Sequence, residues 1–246
     1  MERDAVRRGR SGGADHRRRA SGLVFLLLAL AVLPAPAVLA QVAMPPDENR
    51  TRGQQVPDVE LVGEDSTAFA LSTLAGRPVI VSPIFTSCPH TCARITESLR
   101  DALAAIGEPG VGYQVLTVSF DPADGPAQLR EYRERLSLPA GWKLAVASPA
   151  NLGALLDAID FNYLALPEGG FAHANLIAIL TPTLKVSSYA HGVFYESDDI
   201  RRRLENAASE ASFVRHYRPV IVLVSVLGLA VMTLVLFMTR KKPAPA

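Results

Sequence analysis

The chain has 246 residues, of which 49% are hydrophobic and 20% are charged, and its formal net charge is +1. This length is enough for one domain of medium size together with targeting segments. Because the charges nearly balance, the sequence predicts no nucleic-acid partner.

The N-terminal segment has the pattern of a secretory signal peptide. A short apolar run at 22–33 follows the basic stretch Arg17–Arg19 and leads into small residues that end at Ala40. This order predicts a signal peptide over 1–40 with cleavage after Ala40. An uncleaved N-terminal anchor is the alternative. The polar residues 41–57 are predicted to form a linker.

Residues 58–212 are predicted to form the globular domain. Strands are predicted at 79–85, 111–120, 142–147, 176–180 and 186–189, and helices at 91–106, 126–137, 151–159 and 198–208. Strands that alternate with helices and end in a hairpin predict an α/β fold, a mixed sheet flanked by helices. Pro83 removes a ladder hydrogen bond from the first strand and predicts a bulge there.

The only two cysteines, Cys88 and Cys92, lie where this first strand leads into a helix. A helix N-terminus stabilises a thiolate relative to a thiol. Two soft ligands spaced i and i+4 point to the same side of a helix, so the pair indicates a soft-metal site or a redox pair. A purely structural disulfide is a weaker alternative, because closing so small a loop contributes little stability.

A second apolar run, at 220–239, contains no charged residue. About 20 such residues cross a bilayer as a helix. Arg215 and Arg218 precede the run and the basic residues 240–242 follow it. Together with the signal peptide, this pattern predicts a single-pass helix in the cell membrane, a cytoplasmic tail at 240–246, and the domain on the periplasmic side.

Several motifs resemble the Sco/SenC family. The segment 85–92, which reads FTSCPHTC, resembles the CPxxC-type cysteine motif of that family. The segment 118–122 resembles the family's strand-to-Asp-Pro segment, and His173 occupies the place of its metal-binding histidine. The pair Thr181-Pro182 matches the turn after the next strand, so the resemblance covers about residues 57–208.

Membership would imply a thioredoxin-like fold and a copper site made of Cys88, Cys92 and His173. It would also imply delivery of copper to the binuclear centre of cytochrome c oxidase, with the copper-bearing oxidase subunit and a periplasmic copper donor as partners. Copper(I) accepts two thiolates and an imidazole, whereas zinc needs a fourth ligand, which His90 could supply. The alternative that the resemblance leaves open is a thiol-disulfide oxidoreductase in which Cys88 and Cys92 are the catalytic pair.

The acidic turn departs from the family pattern. The family usually has Asp-Pro-x-x-Asp-x-Pro, whereas 121–126 is one residue shorter, so Asp124 is not matched to a family position. Asp121 is expected to be a turn aspartate, with positioning of the cysteine loop or docking of a partner as alternatives. His191 is expected to be a turn residue near the rim of the site.

Overall fold

The computed structural model describes residues 45–167 and 169–240. The strands are β1 (Glu60–Gly63), β2 (Ala68–Ala70), β3 (Val79–Ile84), β4 (Gln114–Ser119), β5 (Trp142–Val146), β6 (Tyr163–Ala165), β7 (Phe171–His173), β8 (Leu176–Leu180) and β9 (Val186–His191). The helices are α1 (Glu48–Thr51), α2 (Thr91–Ala104), α3 (Pro126–Leu136), α4 (Pro149–Ala158) and α5 (Ser197–Arg240). The predicted signal peptide over 1–40 lies outside the described residues, as do residues 241–246 of the predicted tail.

Seven strands form one mixed sheet in the order β2-β1-β5-β4-β3-β8-β9, and β6 pairs with β7 in a separate hairpin. Strands β3, β4 and β5 are mutually parallel, whereas β8 runs antiparallel to β3. All six residues of β3 are buried, as expected for a short apolar run in the centre of a sheet. The predicted α/β class with a mixed sheet is therefore confirmed.

Pro83 does not produce the predicted bulge next to β4. The pairing of β3 with β4 continues without a shift from Val79 to Ile84. The pairing of β3 with β8 covers only Val79 to Val81. Pro83 therefore lies where β8 no longer pairs with β3, and a missing N–H group costs little at such a position.

Helix α2 fixes the cysteines against the core. Its buried residues Ile95, Leu99 and Leu103 follow one another at i+4 and form a single apolar face. The helix packs against α3 and α5. The Thr96 hydroxyl donates to the Cys92 carbonyl over 2.9 Å and lies 2.8 Å from the hydroxyl of Tyr132 on α3. The first turn of α2 is thus held in place from a second helix.

The segment predicted as a linker over 41–57 contacts the sheet. The N–H group of Gly53 donates to the Val186 carbonyl over 2.8 Å, and the Val186 N–H group donates to the Gln54 carbonyl over 3.0 Å. The Val56 N–H group donates to the Leu184 carbonyl over 2.9 Å. This part of the chain therefore pairs with the start of β9, which is the last strand of the sheet, and with the turn before it.

The predicted transmembrane helix at 220–239 is wrong. Within 45–167 and 169–240, no helix has both the length and the apolar character that crossing a membrane requires. The predicted location in the cell membrane, single-pass by a C-terminal helix, is contradicted by the same finding.

Candidate functional site

The cysteine loop connects the buried strand β3 to helix α2. It begins at Phe85, which is 3% exposed, and the Cys88 N–H group donates to the Phe85 carbonyl over 3.3 Å. Cys88 is half-buried and Cys92 is 1% exposed, and both are free thiols. The pair predicted from the sequence is therefore asymmetric, since only Cys88 reaches the surface.

Hydrogen bonds to sulfur favour a thiolate at Cys88. The Cys92 N–H group donates to the Cys88 Sγ over 3.5 Å. The pKa of Cys88 is lowered to about 4, first by the hydrogen bond from the Cys92 thiol and then by the backbone N–H groups of Cys92, His90 and Thr91. The pKa of Cys92 is raised, first by the same bond and then by burial. At neutral pH the site therefore combines a thiolate at Cys88 with a thiol at Cys92.

Alkylation of Cys88 by iodoacetamide should occur at a rate that does not change with pH between about 5.5 and 8, because the thiolate is already formed above its lowered pKa. The rate should fall only as the pH drops through about 4. Peptide mapping after timed labelling of the folded chain measures it. In the urea-unfolded chain, as a control, the rate should rise about tenfold per pH unit up to about pH 8. The same rise in the folded chain would contradict the prediction.

Asp124 ties the cysteine loop to the end of β4. Its carboxylate accepts from the Thr86 N–H group over 2.8 Å and from the Thr86 hydroxyl over 2.5 Å. It also accepts from the hydroxyl of Ser119, the last residue of β4, over 2.5 Å. Thr86 comes two residues before Cys88, so this carboxylate is a positioning group for the thiolate.

A guanidinium group completes the anchoring of Thr86. Arg135 on α3 donates to the Thr86 carbonyl over 3.1 Å, and the same guanidinium lies 5.1 Å from the centre of the Tyr132 ring. The backbone N–H, the hydroxyl and the carbonyl of Thr86 are thus all bonded. The Asp121 carboxylate, in contrast, accepts from the Ala123 N–H group over 2.8 Å, which is the expected turn role.

His173 lies on the β6–β7 hairpin, where it pairs with Tyr163. Its ring packs against Phe85, Phe120 and Phe161, with centroid distances of 6.1, 5.3 and 5.7 Å. The Nδ1 atom lies 2.9 Å from the Ala174 carbonyl oxygen, which can only accept a hydrogen bond. Nδ1 therefore carries the proton, and Nε2 keeps a lone pair that can bind a metal.

The structure brings Cys88 and Cys92 together but does not join His173 to them. No group of three or more His, Cys, Asp or Glu side chains in the described residues is arranged to hold a metal ion. His90, the residue before α2, is exposed and makes no capping bond through its side chain. His191 ends β9 and lies 2.9 Å from a carboxylate oxygen of Glu48. Neither of these two histidines is arranged as a ligand.

Residues 47–192, which include the cysteine loop, the Asp124 contact and His173, match the SCO1/SenC family. This match covers more than half of the chain. The chain belongs to the SCO1/SenC family. The Sco/SenC resemblance of the sequence motifs is therefore confirmed.

Individual relatives agree with this assignment. A protein of Stutzerimonas stutzeri, provisionally described as copper-binding, is 32% identical over 83 residues, which are 33% of this chain and 41% of that protein. The chain thus matches less than half the length of this relative. A provisionally assigned electron transfer protein from Aquifex aeolicus VF5 is 34% identical, with a TM-score of 0.62 over 64% of this chain and 95% of that structure.

Copper-bound ScoI of Arabidopsis thaliana is 18% identical, with a TM-score of 0.55 over 63% of this chain and 98% of that structure. At this identity the likeness concerns the fold alone. Together with the Aquifex structure, it confirms the thioredoxin-like sheet that the resemblance implied for this SCO1/SenC chain.

Proposed function

We propose that this SCO1/SenC protein is a copper chaperone that binds copper through Cys88, Cys92 and His173. In this proposal it delivers the metal to the binuclear copper centre of cytochrome c oxidase during assembly. The observation that carries the proposal is the thiolate at Cys88, held at a helix N-terminus four residues from a second free thiol. The copper that relatives bind, by their descriptions, supports the choice of metal.

The donor set fits copper(I). Soft thiolates select copper(I) over harder cations, and an imidazole is an acceptable third ligand. Metal binding requires deprotonated thiols. Cys88 meets this requirement at neutral pH because its pKa is lowered to about 4. Cys92 would lose its thiol proton as copper binds. The positive charge of the metal then takes the place of the proton in the hydrogen bond between Cys92 and Cys88.

His173 is the proposed third ligand. The bond between its Nδ1 atom and the Ala174 carbonyl fixes the ring and leaves Nε2 for the metal, which is how ligating histidines are commonly oriented. The His173 ring also packs against Phe85, the first residue of the cysteine loop, with 6.1 Å between the ring centres, which supports its choice as the third ligand.

Delivery proceeds by exchange of ligands. A thiolate or imidazole of the receiving protein displaces one chaperone ligand at a time, so copper is never released as a free ion. The half-buried Cys88 is the ligand that an incoming donor reaches first, since Cys92 is buried. The proposed receiver is the copper-bearing subunit of the oxidase, and a separate donor protein reloads the chain.

An anaerobic copper(I) titration of the reduced full chain against a chromogenic chelator tests this proposal. One tight equivalent is expected, and His173→Ala should weaken it by about 10- to 100-fold, because one donor of three is lost. His191→Ala is the matched control, since His191 bonds to Glu48 rather than to the site, and its affinity should equal that of the wild type.

Two other outcomes of the titration would contradict parts of this proposal. If His173→Ala binds as tightly as the wild type, His173 is not a ligand and the metal is held by the two sulfurs. If the wild type takes up no copper in competition with the chelator, the chaperone proposal fails.

The asymmetry of the cysteines favours a second candidate function, thiol-disulfide exchange. The Cys88 thiolate would attack one sulfur of a partner disulfide, forming a mixed disulfide and releasing one partner thiolate. Cys88 then no longer accepts the hydrogen bond that, more than burial, raised the pKa of Cys92. Cys92 can therefore lose its proton to the partner thiolate and attack the Cys88 sulfur. The partner leaves with one thiol and one thiolate, the latter released from the Cys88 sulfur, and the chain keeps a Cys88–Cys92 disulfide.

A further inference from the structure

A cleft opens next to the candidate site, at the carboxyl ends of β4 and β5. Its volume is about 400 Å³. Its lining includes Phe120, which follows β4, Val146, which ends β5, Leu152 of α4 and Tyr163 of β6. Open α/β sheets bind their partners outside the carboxyl ends of their parallel strands, and this cleft has that position.

The cleft adjoins the cysteine loop. Because β3, β4 and β5 are parallel, their carboxyl ends share one edge of the sheet, and the cysteine loop leaves β3 at this edge. Phe120 lines the cleft and packs against Phe85 of the cysteine loop, with 5.6 Å between the ring centres. Asp124 also lines the cleft and bonds to Thr86. A molecule seated in the cleft would therefore contact the residues that position Cys88.

The lining combines aromatic rings with carboxylates. Tyr163 is 36% exposed and stacks on Phe120 with 4.7 Å between the ring centres. Asp121 and Asp157 also line the cleft, and neither forms an ion pair within the described part of the chain. The described lining includes no lysine or arginine. Aromatic rings and carboxylates together favour a ligand that carries a cation next to an apolar group. The cation can contact the face of an aromatic ring while it pairs with a neighbouring carboxylate.

We propose that this cleft docks a segment of a partner protein that presents a lysine or arginine next to an aromatic or aliphatic side chain. The inference rests on the proposed function, because a protein that exchanges copper or thiols with the cysteine loop must approach this edge of the sheet. The apolar side chain packs against the half-buried Val146 and Leu152, and the cation lies between Tyr163 and Asp157. The partner's metal-binding or thiol group is then held beside Cys88.

Fluorescence anisotropy with labelled peptides tests the docking site in the metal-free, reduced full chain. The probes are three nine-residue peptides of Ser and Gly with Lys-Phe-Lys, Ser-Phe-Ser or Glu-Phe-Glu at the centre. The Lys-Phe-Lys peptide should bind about tenfold more tightly than the Glu-Phe-Glu peptide. Tyr163→Ala and Asp157→Asn should each weaken its binding about threefold. Asp157→Lys should remove the preference for the cationic peptide.

Glu205→Gln is the matched control. It removes the same charge, but it lies on α5 beside a different cavity, near Pro78, which precedes β3 at the opposite edge of the sheet. Its peptide affinity should equal that of the wild type. Equal binding of all three peptides, binding of none, or an equal loss in Glu205→Gln would overturn the proposal.

Two other occupants would also be revealed. Binding of lysine amide as tight as that of the peptide would assign the cleft to a small cation. Dimerisation that Tyr163→Ala abolishes would assign it to a second copy. Either result would overturn the proposal. The copper titration is performed separately, so a chain that binds copper but no peptide loses only the docking inference.

Discussion

Replacing Cys88 with serine is expected to lower the copper(I) affinity of the chain by about a thousandfold, equivalent to about 4 kcal/mol, because a thiolate ligand is lost. The loss is large because the pKa of Cys88 is about 4, so this sulfur offers a charged donor to the metal without first giving up a proton. A serine hydroxyl stays protonated at neutral pH and is a hard donor that copper(I) binds poorly. Competition with a chromogenic chelator measures the affinity.

Ser87→Ala is the control for this substitution. Ser87 is exposed and directly precedes Cys88, so the variant changes the loop without removing a sulfur. Its copper affinity should match that of the wild type. A Cys88→Ser chain that binds copper(I) within about tenfold of the wild type would show that Cys88 is not a principal ligand.

Replacing Asp124 with asparagine is expected to lower the free energy of unfolding by about 2–3 kcal/mol, because three charge-assisted hydrogen bonds are lost or weakened at a half-buried position. The carboxylate accepts from both donors of Thr86 and from Ser119. An asparagine has only one acceptor oxygen, and its amide N–H groups would face donors. Urea unfolding monitored through the buried Trp142 measures the change.

Asp121→Asn provides the matched control, because it is the same substitution three residues earlier in the same turn. Asp121 is half-buried like Asp124, but its carboxylate accepts a single, solvent-exposed backbone bond, so its replacement should cost less than about 1 kcal/mol. In the copper titration, Asp124→Asn should also weaken binding about tenfold, as expected for a group that orients a ligand. Equal destabilisation by the two variants would refute the positioning role of Asp124.

The centre of the site could be predicted from local sequence. Residues 79–85 are an apolar run, and Cys88 and Cys92 follow it at the start of an apolar helical face. This pattern predicts a buried strand followed by a helix. The structure accordingly has β3 at Val79–Ile84 and α2 at Thr91–Ala104. Both elements are set by burial of their own side chains, which periodicity reports directly.

The role of Asp124 could not be predicted in the same way. Both Asp121 and Asp124 belong to one turn, and turn chemistry favours aspartate at either position. Which carboxylate reaches Thr86 depends on how the chain after β4 passes the end of β3. That is a contact between residues 38 positions apart. The spacing of the Asp-Pro turn is the only local pattern that could single out one of the two aspartates. Because this turn is one residue shorter than the family pattern, Asp124 is not matched to a family position.

The β6–β7 hairpin is not predicted because its sequence signal is too weak. The apolar part of helix α5 is wrongly predicted as a membrane span because its hydropathy signal is strong. Strands Tyr163–Ala165 and Phe171–His173 have three residues each, none of them buried, so they show no hydrophobic periodicity. Helix α5 has a long uncharged stretch in its sequence, and hydropathy alone suggested a membrane span. In the described structure the helix is continuous from Ser197 to Arg240, so the apolar stretch is not a separate element.

The contact between residues 53–56 and the last strand of the sheet has a consequence for aggregation. The outermost strand of a sheet offers unpaired N–H and C=O groups to any other extended chain. The N–H groups of Gly53 and Val56 donate to the carbonyls of Val186 and Leu184, and the Gln54 carbonyl accepts from Val186, so such groups are occupied at the start of β9. A shortened chain that begins at residue 58 would keep both cysteines and His173 but lose this cover. A chain shortened in this way is therefore expected to associate with other copies through the start of β9 more readily than the full chain.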